Sequence, residues 1–166
     1  IVRQAIFAEE FAHKDISYQV ECPEDTIFVR CDAGHMSRLL TNLLQNAEEA
    51  IEGRLSADDG AHKPGVIAVA VWGDEHGVTL TIRDNGIGLP ADGRERLTEP
   101  YVTNREKGTG LGLAIVKKIM EEHGGRMYLD DAPDGGAEIR LSFPPLNDDV
   151  QNNDEDVKMS GIDYGA

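Results

Sequence analysis

Basic residues are few in this chain of 166 residues: 16 Lys and Arg stand against 31 Asp and Glu, a formal charge of −15. That deficit disfavours nucleic acid and anionic membranes as general partners, because both repel an acidic surface. It also means that any anionic ligand must be held by local backbone dipoles and a metal ion rather than by the overall field. Cysteine is scarcer still. Cys22 and Cys31 cannot make a disulfide framework. They fall on two neighbouring predicted strands, so one cross-strand bridge or two reduced thiols are both open, the second being the plainer reading. No run approaches the roughly 20 apolar residues of a membrane span, no signal peptide is visible, and no internal repeat is found. Ile1 is no natural start, so the chain is read as a fragment. What remains is an ordinary globular composition, 40% apolar, long enough for one domain with its own core.

Residues 1 to about 13 carry Ile1, Ala5, Ala8 and Phe11 or Ala12 near helical spacing. Ile16, Tyr18, Val20 and Cys22 alternate with polar residues, and Thr26 to Cys31 follows Pro23-Glu24-Asp25 as a second strand. Asp32 is placed to cap a long helix reaching about Leu55. A polar loop from Ser56 to Pro64 leads to two strands, Val66–Trp72 and Val78–Arg83. The stretch from Asn85 to Gly110 shows little periodicity and reads as a long loop of the kind that serves as a lid. Leu111 to His123 is a helix stopped by Gly124-Gly125, and Arg126–Leu129 with Ala137–Phe143 closes the sheet as a hairpin. Beyond Pro144-Pro145, residues 147–166 hold six acids and one lysine with almost no large apolar side chain, and are expected to be unstructured.

Three segments carry chemistry. On the long helix, Met36, Leu39, Leu40, Leu43, Leu44, Ala47 and Ile51 share one arc and form the core face. Asn42 and Asn46 stand one turn apart at its margin, where a carboxamide is costly unless partnered. They are either helix-flanking residues bonded to a loop or oxygen donors for Mg²⁺ and phosphate, with Asn46 the metal ligand. Asp84, at a strand end before Asn85-Gly86-Ile87-Gly88, is either part of a plain turn or an acceptor for the adenine amino group. In the second reading Gly86 and Gly88 bring the backbone close to the base. Gly108, Gly110 and Gly112 precede an amphipathic helix, so bare N–H groups at its positive end form an anion site. No Gly-Lys-Ser/Thr follows, which excludes a Walker A loop, and the preceding charged loop argues against a dinucleotide fingerprint.

Asn42–Ala50, Asp84–Gly88 and Gly108–Leu113 resemble the N, G1 and G2 boxes of sensor histidine kinases of the GHKL ATPase superfamily, and Glu99–Arg105 stands where that family has its F box. The run Pro100–Val116 is similar to the nitrogen-regulation branch of the family. The resemblance covers about residues 1–145. It implies an α/β (α+β) two-layer sandwich of the Bergerat type, a mixed sheet covered on one face by helices. It divides the chain into the end of a dimerisation helix (1–14), a catalytic ATP-binding domain (15–146) and the acidic tail (147–166). It implies ATP or ADP with Mg²⁺ as cofactors, Asn42, Asn46 and Arg105 in catalysis, and Asn46, Asp84, Gly86, Gly88, Thr103, Lys107, Gly108, Thr109, Gly110, Leu111 and Gly112 in nucleotide binding. The partners implied are a dimerisation domain bearing the acceptor histidine and an NtrX-like response regulator, the whole being the cytoplasmic part of a membrane-anchored sensor.

The departures from the family pattern bear on mechanism. Thr98, Tyr101 and Val102 occupy places where phenylalanines are usual, and Glu49 sits where many relatives carry a basic residue. Position 42 is Asn, where hydrolysing relatives such as DNA gyrase carry a Glu base, so transfer to a competent nucleophile is favoured over hydrolysis. None of His13, His35, His62, His76 or His123 lies in the acceptor context, and each is read as a surface residue. A nucleotide-sensing module without phosphotransfer and a GHKL ATPase are the alternatives.

Overall fold

The computed structural model describes residues 1–13, 15–57, 63–102, 110–146 and 156–158, the last three through their backbone. Helix α1 (Val2–Ala12) leads into strand β1 (Ile16–Glu21), then a short β2 (Phe28–Arg30) and the long α2 (Ala33–Ala57). Strands β3 (Gly65–Asp74) and β4 (Gly77–Asp84) form a hairpin, followed by a stretch with a 3-10 turn at Arg94–Arg96. Helix α3 (Gly112–Glu122), β5 (Arg126–Asp131) and β6 (Ala137–Phe143) complete the domain, and β7 (Asp156–Lys158) lies in the tail.

Five strands form one mixed sheet in the order β1-β3-β4-β6-β5, with β1 parallel to β3 and every other pair antiparallel. Period-two alternation points one residue set at the helices. Register then lines Val69, Ile82, Ile139 and Leu129 across four strands, and Val71, Leu80, Leu141 and Met127 beside them. On α2 the whole predicted arc is buried: Met36, Leu39, Leu40, Leu43, Leu44, Ala47 and Ile51. Each such leucine contributes about 2 kcal/mol of hydrophobic free energy. Val116, Ile119 and Met120 bring α3 onto the same core.

Helix ends follow local chemistry. The Asp32 carboxylate accepts the His35 N–H at 2.7 Å, so the expected N-cap starts α2. Gly124, at φ 66°, stops α3, and the Gly125 N–H returns to the Met120 carbonyl at 2.8 Å. His123 is no mere surface residue. Its Nδ1 lies 2.7 Å from the Ile119 carbonyl and its Nε2 accepts the Asp32 N–H at 3.1 Å, which ties the end of α3 to the start of α2 in the Nδ1–H tautomer.

Two expectations for the sheet change. The second predicted strand does not join β1; it is short and pairs antiparallel with β7, Val29 opposite Val157. The cysteines are not joined, Cys31 being buried and Cys22 half-buried, so of the two open readings the plainer one, two thiols without a cross-strand bridge, holds. The strand at Asp156–Lys158 lies in the tail read from sequence as unstructured, because backbone pairing needs no apolar side chains. Residues 147–155 and 159–166 lie outside the described residues. No helix among the described residues is long and apolar enough to cross a membrane.

Candidate nucleotide site

Strand alternation explains the position of Asp84. Leu80 and Ile82 point into the core, and two residues on the same face presents a carboxylate where the next core side chain would stand, opposite Ile67. Asp84 is accordingly buried. Its Oδ1 accepts the Gly86 N–H at 2.8 Å and the Ala137 N–H at 3.3 Å, which fixes the carboxylate plane. Asn85 turns the other way and pins the strand end to the start of β3. Its Oδ1 accepts the Val66 N–H at 2.9 Å and its Nδ2 donates to the Pro64 carbonyl at 2.9 Å.

Gly86 serves packing, and it does not line the cavity. A Cβ there would lie 2.5 Å from the Ala50 carbonyl carbon, and the next N–H, that of Ile87, bonds the Ala50 oxygen at 3.0 Å. The sequence reading set Gly86 beside a base; the close approach it permits is instead between this loop and α2. Gly136 is a residue that the sequence reading missed. At φ 91° it brings the β5–β6 turn so close that a Cβ would sit 2.1 Å from the Asp84 carbonyl oxygen. Its signal was the Gly135-Gly136 pair in a turn that sequence alone had no reason to place beside Asp84.

On α2, Asn42 and Asn46 are half-buried at the margin of the core arc. Asn42 Nδ2 donates to the Arg38 carbonyl at 2.7 Å, leaving its Oδ1 toward α3. The first turn of α3 docks on both carboxamides. A Cβ at Gly112 would come 3.3 Å from Asn46 Nδ2 and 3.4 Å from each Oδ1. Leu111, at the N-cap, has no polar side chain with which to satisfy first-turn N–H groups, so the positive end of α3 faces these residues. Gly110, at φ 65°, accepts the Tyr101 N–H at 3.0 Å, joining the two ends of the loop before α3.

These groups share one cavity of about 460 Å³, within the range of small-molecule sites. Asp84, Asn42, Asn46, Gly88, Gly110 and Gly112 all line it, while Leu111 does not. Apolar walls come from Ile87, Leu89, Pro90, Leu97, Val102 and Ile139, most of them outside the sequence motifs. Of the three F-box positions, Val102 lines this wall, Tyr101 stands in solvent at φ 66°, and Thr98 lies 3.4 Å from Lys117 Nζ. Glu49 adds a carboxylate to the cavity. Thr103, Arg105, Lys107, Gly108 and Thr109 lie outside the described residues.

The arrangement suits a flat heterocycle between apolar walls with an acceptor at its edge. It also suits an anion near the α3 N-terminus and a hard cation on carboxamide oxygen. Comparisons with known proteins agree with it. The chain is 45% identical to nitrogen regulation protein NtrY of Azorhizobium caulinodans over 96% of its own length and 20% of that protein's. It is 36% identical to sporulation kinase A of Bacillus subtilis over 73% of its length and 18% of that protein's. The chain thus spans about a fifth of the curated relatives that it matches. Among solved structures, the mycobacterial sensor histidine kinase MprB superposes with a TM-score of 0.71 at 27% identity, covering 87% of this chain and 93% of that one. The catalytic domain of histidine kinase ThkA gives 0.69 at 27% identity, covering 86% and 90%. Residues 31–147 match the sequence profile of the histidine kinase-, DNA gyrase B-, and HSP90-like ATPases, and the chain belongs to that family.

Proposed function

We propose that the chain is the catalytic, ATP-binding part of a sensor histidine kinase, and that it presents Mg-ATP to a histidine on a separate dimerisation domain. The observation that carries this reading is the meeting of Asp84, both asparagines and the start of α3 at one cavity. Asp84, held by two backbone N–H groups, accepts the exocyclic amino group of adenine, while Ile87, Pro90 and Ile139 shield the ring faces. The α3 N-terminus and Gly110 take the phosphates. Asn46 fits a magnesium ion through its carboxamide oxygen, with Asn42 toward phosphate or a metal-bound water; the oxygen donors and room for water suit this ion. Bound there, the ion neutralises charge on the phosphoryl group being transferred. Thr103, Arg105, Lys107, Gly108 and Thr109 complete this reading as phosphate contacts from the loop before α3.

Asn42 supplies no carboxylate base, so water is a poor nucleophile beside it, whereas an imidazole needs no such activation. The phosphoryl group then passes to an aspartate of a response regulator, of the NtrX-like type. The parent is a membrane-anchored sensor with this part in the cytoplasm. One observation favours a second reading, a nucleotide-sensing module without phosphotransfer: Glu49 places negative charge in the cavity itself.

Titration calorimetry of ATP with and without Mg²⁺ tests binding. We expect Mg-dependent binding by the wild type and a loss of about 100-fold in Asp84→Asn, which keeps one oxygen for the two backbone donors but sets an amide NH2 against the adenine amino group. Equal affinities for the two proteins would overturn the site. Mixing the chain with its dimerisation domain and labelled ATP then separates the readings: phosphohistidine supports the kinase, and binding without it supports the module.

A further inference from the structure

A second cluster lies on the other side of α2, between that helix, α1 and β1. Glu9 lies in the last turn of α1 and His13 is the residue that caps it, its N–H bonding the Glu9 carbonyl at 2.9 Å, and their side chains come together beside α2. Glu48 reaches them from α2, at a position that is only 4% exposed. One ligand-type atom from each of the three lies within 4.8 Å of the others, and no other such group occurs among the described residues. We propose that Glu9, His13 and Glu48 bind a divalent ion of the Zn²⁺ class, which fastens α1 to α2.

Three features carry the assignment. His13 Nε2 and Glu48 Oε2 are 3.5 Å apart. Zinc bonds to nitrogen and oxygen at about 2.0–2.1 Å, so tetrahedral ligands stand about 3.4 Å from one another. The pair is thus already spaced as two ligands of one ion. Next, the Tyr18 hydroxyl donates to Glu48 Oε1 at 2.7 Å. That outer hydrogen bond orients the carboxylate and turns Oε2 toward the imidazole, the support that metal-bound carboxylates receive. Last, acidic groups outnumber basic ones around Glu48, a setting that a cation suits. Two carboxylates face one imidazole, and Glu52 adds a further negative charge to Glu48. One imidazole and two carboxylates leave a fourth position for water and favour a borderline ion over Mg²⁺ or Ca²⁺, which prefer all-oxygen shells. The proposal is independent of the nucleotide reading, since none of its residues lines that cavity.

The test is titration of the nucleotide-free chain with Zn²⁺, and with Co²⁺ as a visible-absorption reporter of low-coordinate geometry. We expect one ion per chain, a raised thermal midpoint, and an intense Co²⁺ band. His13→Ala, at a half-exposed position, should weaken binding at least tenfold and abolish the band. His76→Ala, on a distant exposed turn, should change neither. Wild type and His13→Ala binding alike would overturn the proposal, as would the absence of stoichiometric binding or an equal loss in His76→Ala.

Discussion

Glu48 and Glu49 are adjacent on one helix and chemically identical, yet one is sealed between α1, α2 and β1 while the other is exposed at the mouth of the nucleotide cavity. The rotation of about 100° per residue sends them to different neighbours. Burial pushes the Glu48 carboxyl above its ordinary range, and the Tyr18 hydrogen bond and His13 pull it partly back. Burial, with the same hydrogen bond, pushes the Tyr18 hydroxyl up in turn. A buried carboxylate costs several kcal/mol unless bonded, so Glu48 depends on its two partners, whereas the exposed Glu49 keeps its hydration. The contrast shows that a residue's identity assigns no role until its surroundings are known.

Breaking Glu48 gives the largest effect on folding. Glu48→Ala leaves His13 and Tyr18 without their acceptor and should destabilise the chain by about 3 kcal/mol in urea unfolding with a chelator present, whereas Glu49→Ala should stay within about 0.5 kcal/mol. Tyr18→Phe removes one hydrogen bond to the same carboxylate and should cost about 1–2 kcal/mol in that assay. A smaller and pH-dependent effect belongs to Asp32, whose carboxyl is held below its usual range chiefly by the His35 N–H. A lowered folded-state pKa means stability that is present above the unfolded value and lost as pH falls through the folded one. The advantage of wild type over Asp32→Ala should therefore be full at neutral pH and vanish in strong acid, followed by thermal unfolding at each pH.

Much of this was legible in sequence. The buried arc of α2 matches the residues chosen from periodicity, since a 25-residue amphipathic helix leaves one way to bury its leucines. The hairpin of β5 and β6 follows from alternation around Pro133–Gly136. Asp84 was singled out by its motif, and alternation from Leu80 and Ile82 explains why it points inward. The swap of β2 from the main sheet to β7 was not readable, because a three-residue strand has no face pattern strong enough to name its partner. Nor was the role of Gly86, since a glycine that admits a ligand and one that admits a helix look alike in a string of letters.

Local rules set by covalent geometry and side-chain type were enough to determine the helices, the five strands of the main sheet, the cap at Asp32 and the presence of three polar motifs. They act over a few residues, so they carry no information on distant approach. Only tertiary packing decided that Gly136 would meet Asp84, that Gly112 would rest on Asn42 and Asn46, and that His13 and Tyr18 would close on Glu48. Those contacts span residues far apart in the chain, and sheet register and helix rotation fix them together only once the core has formed.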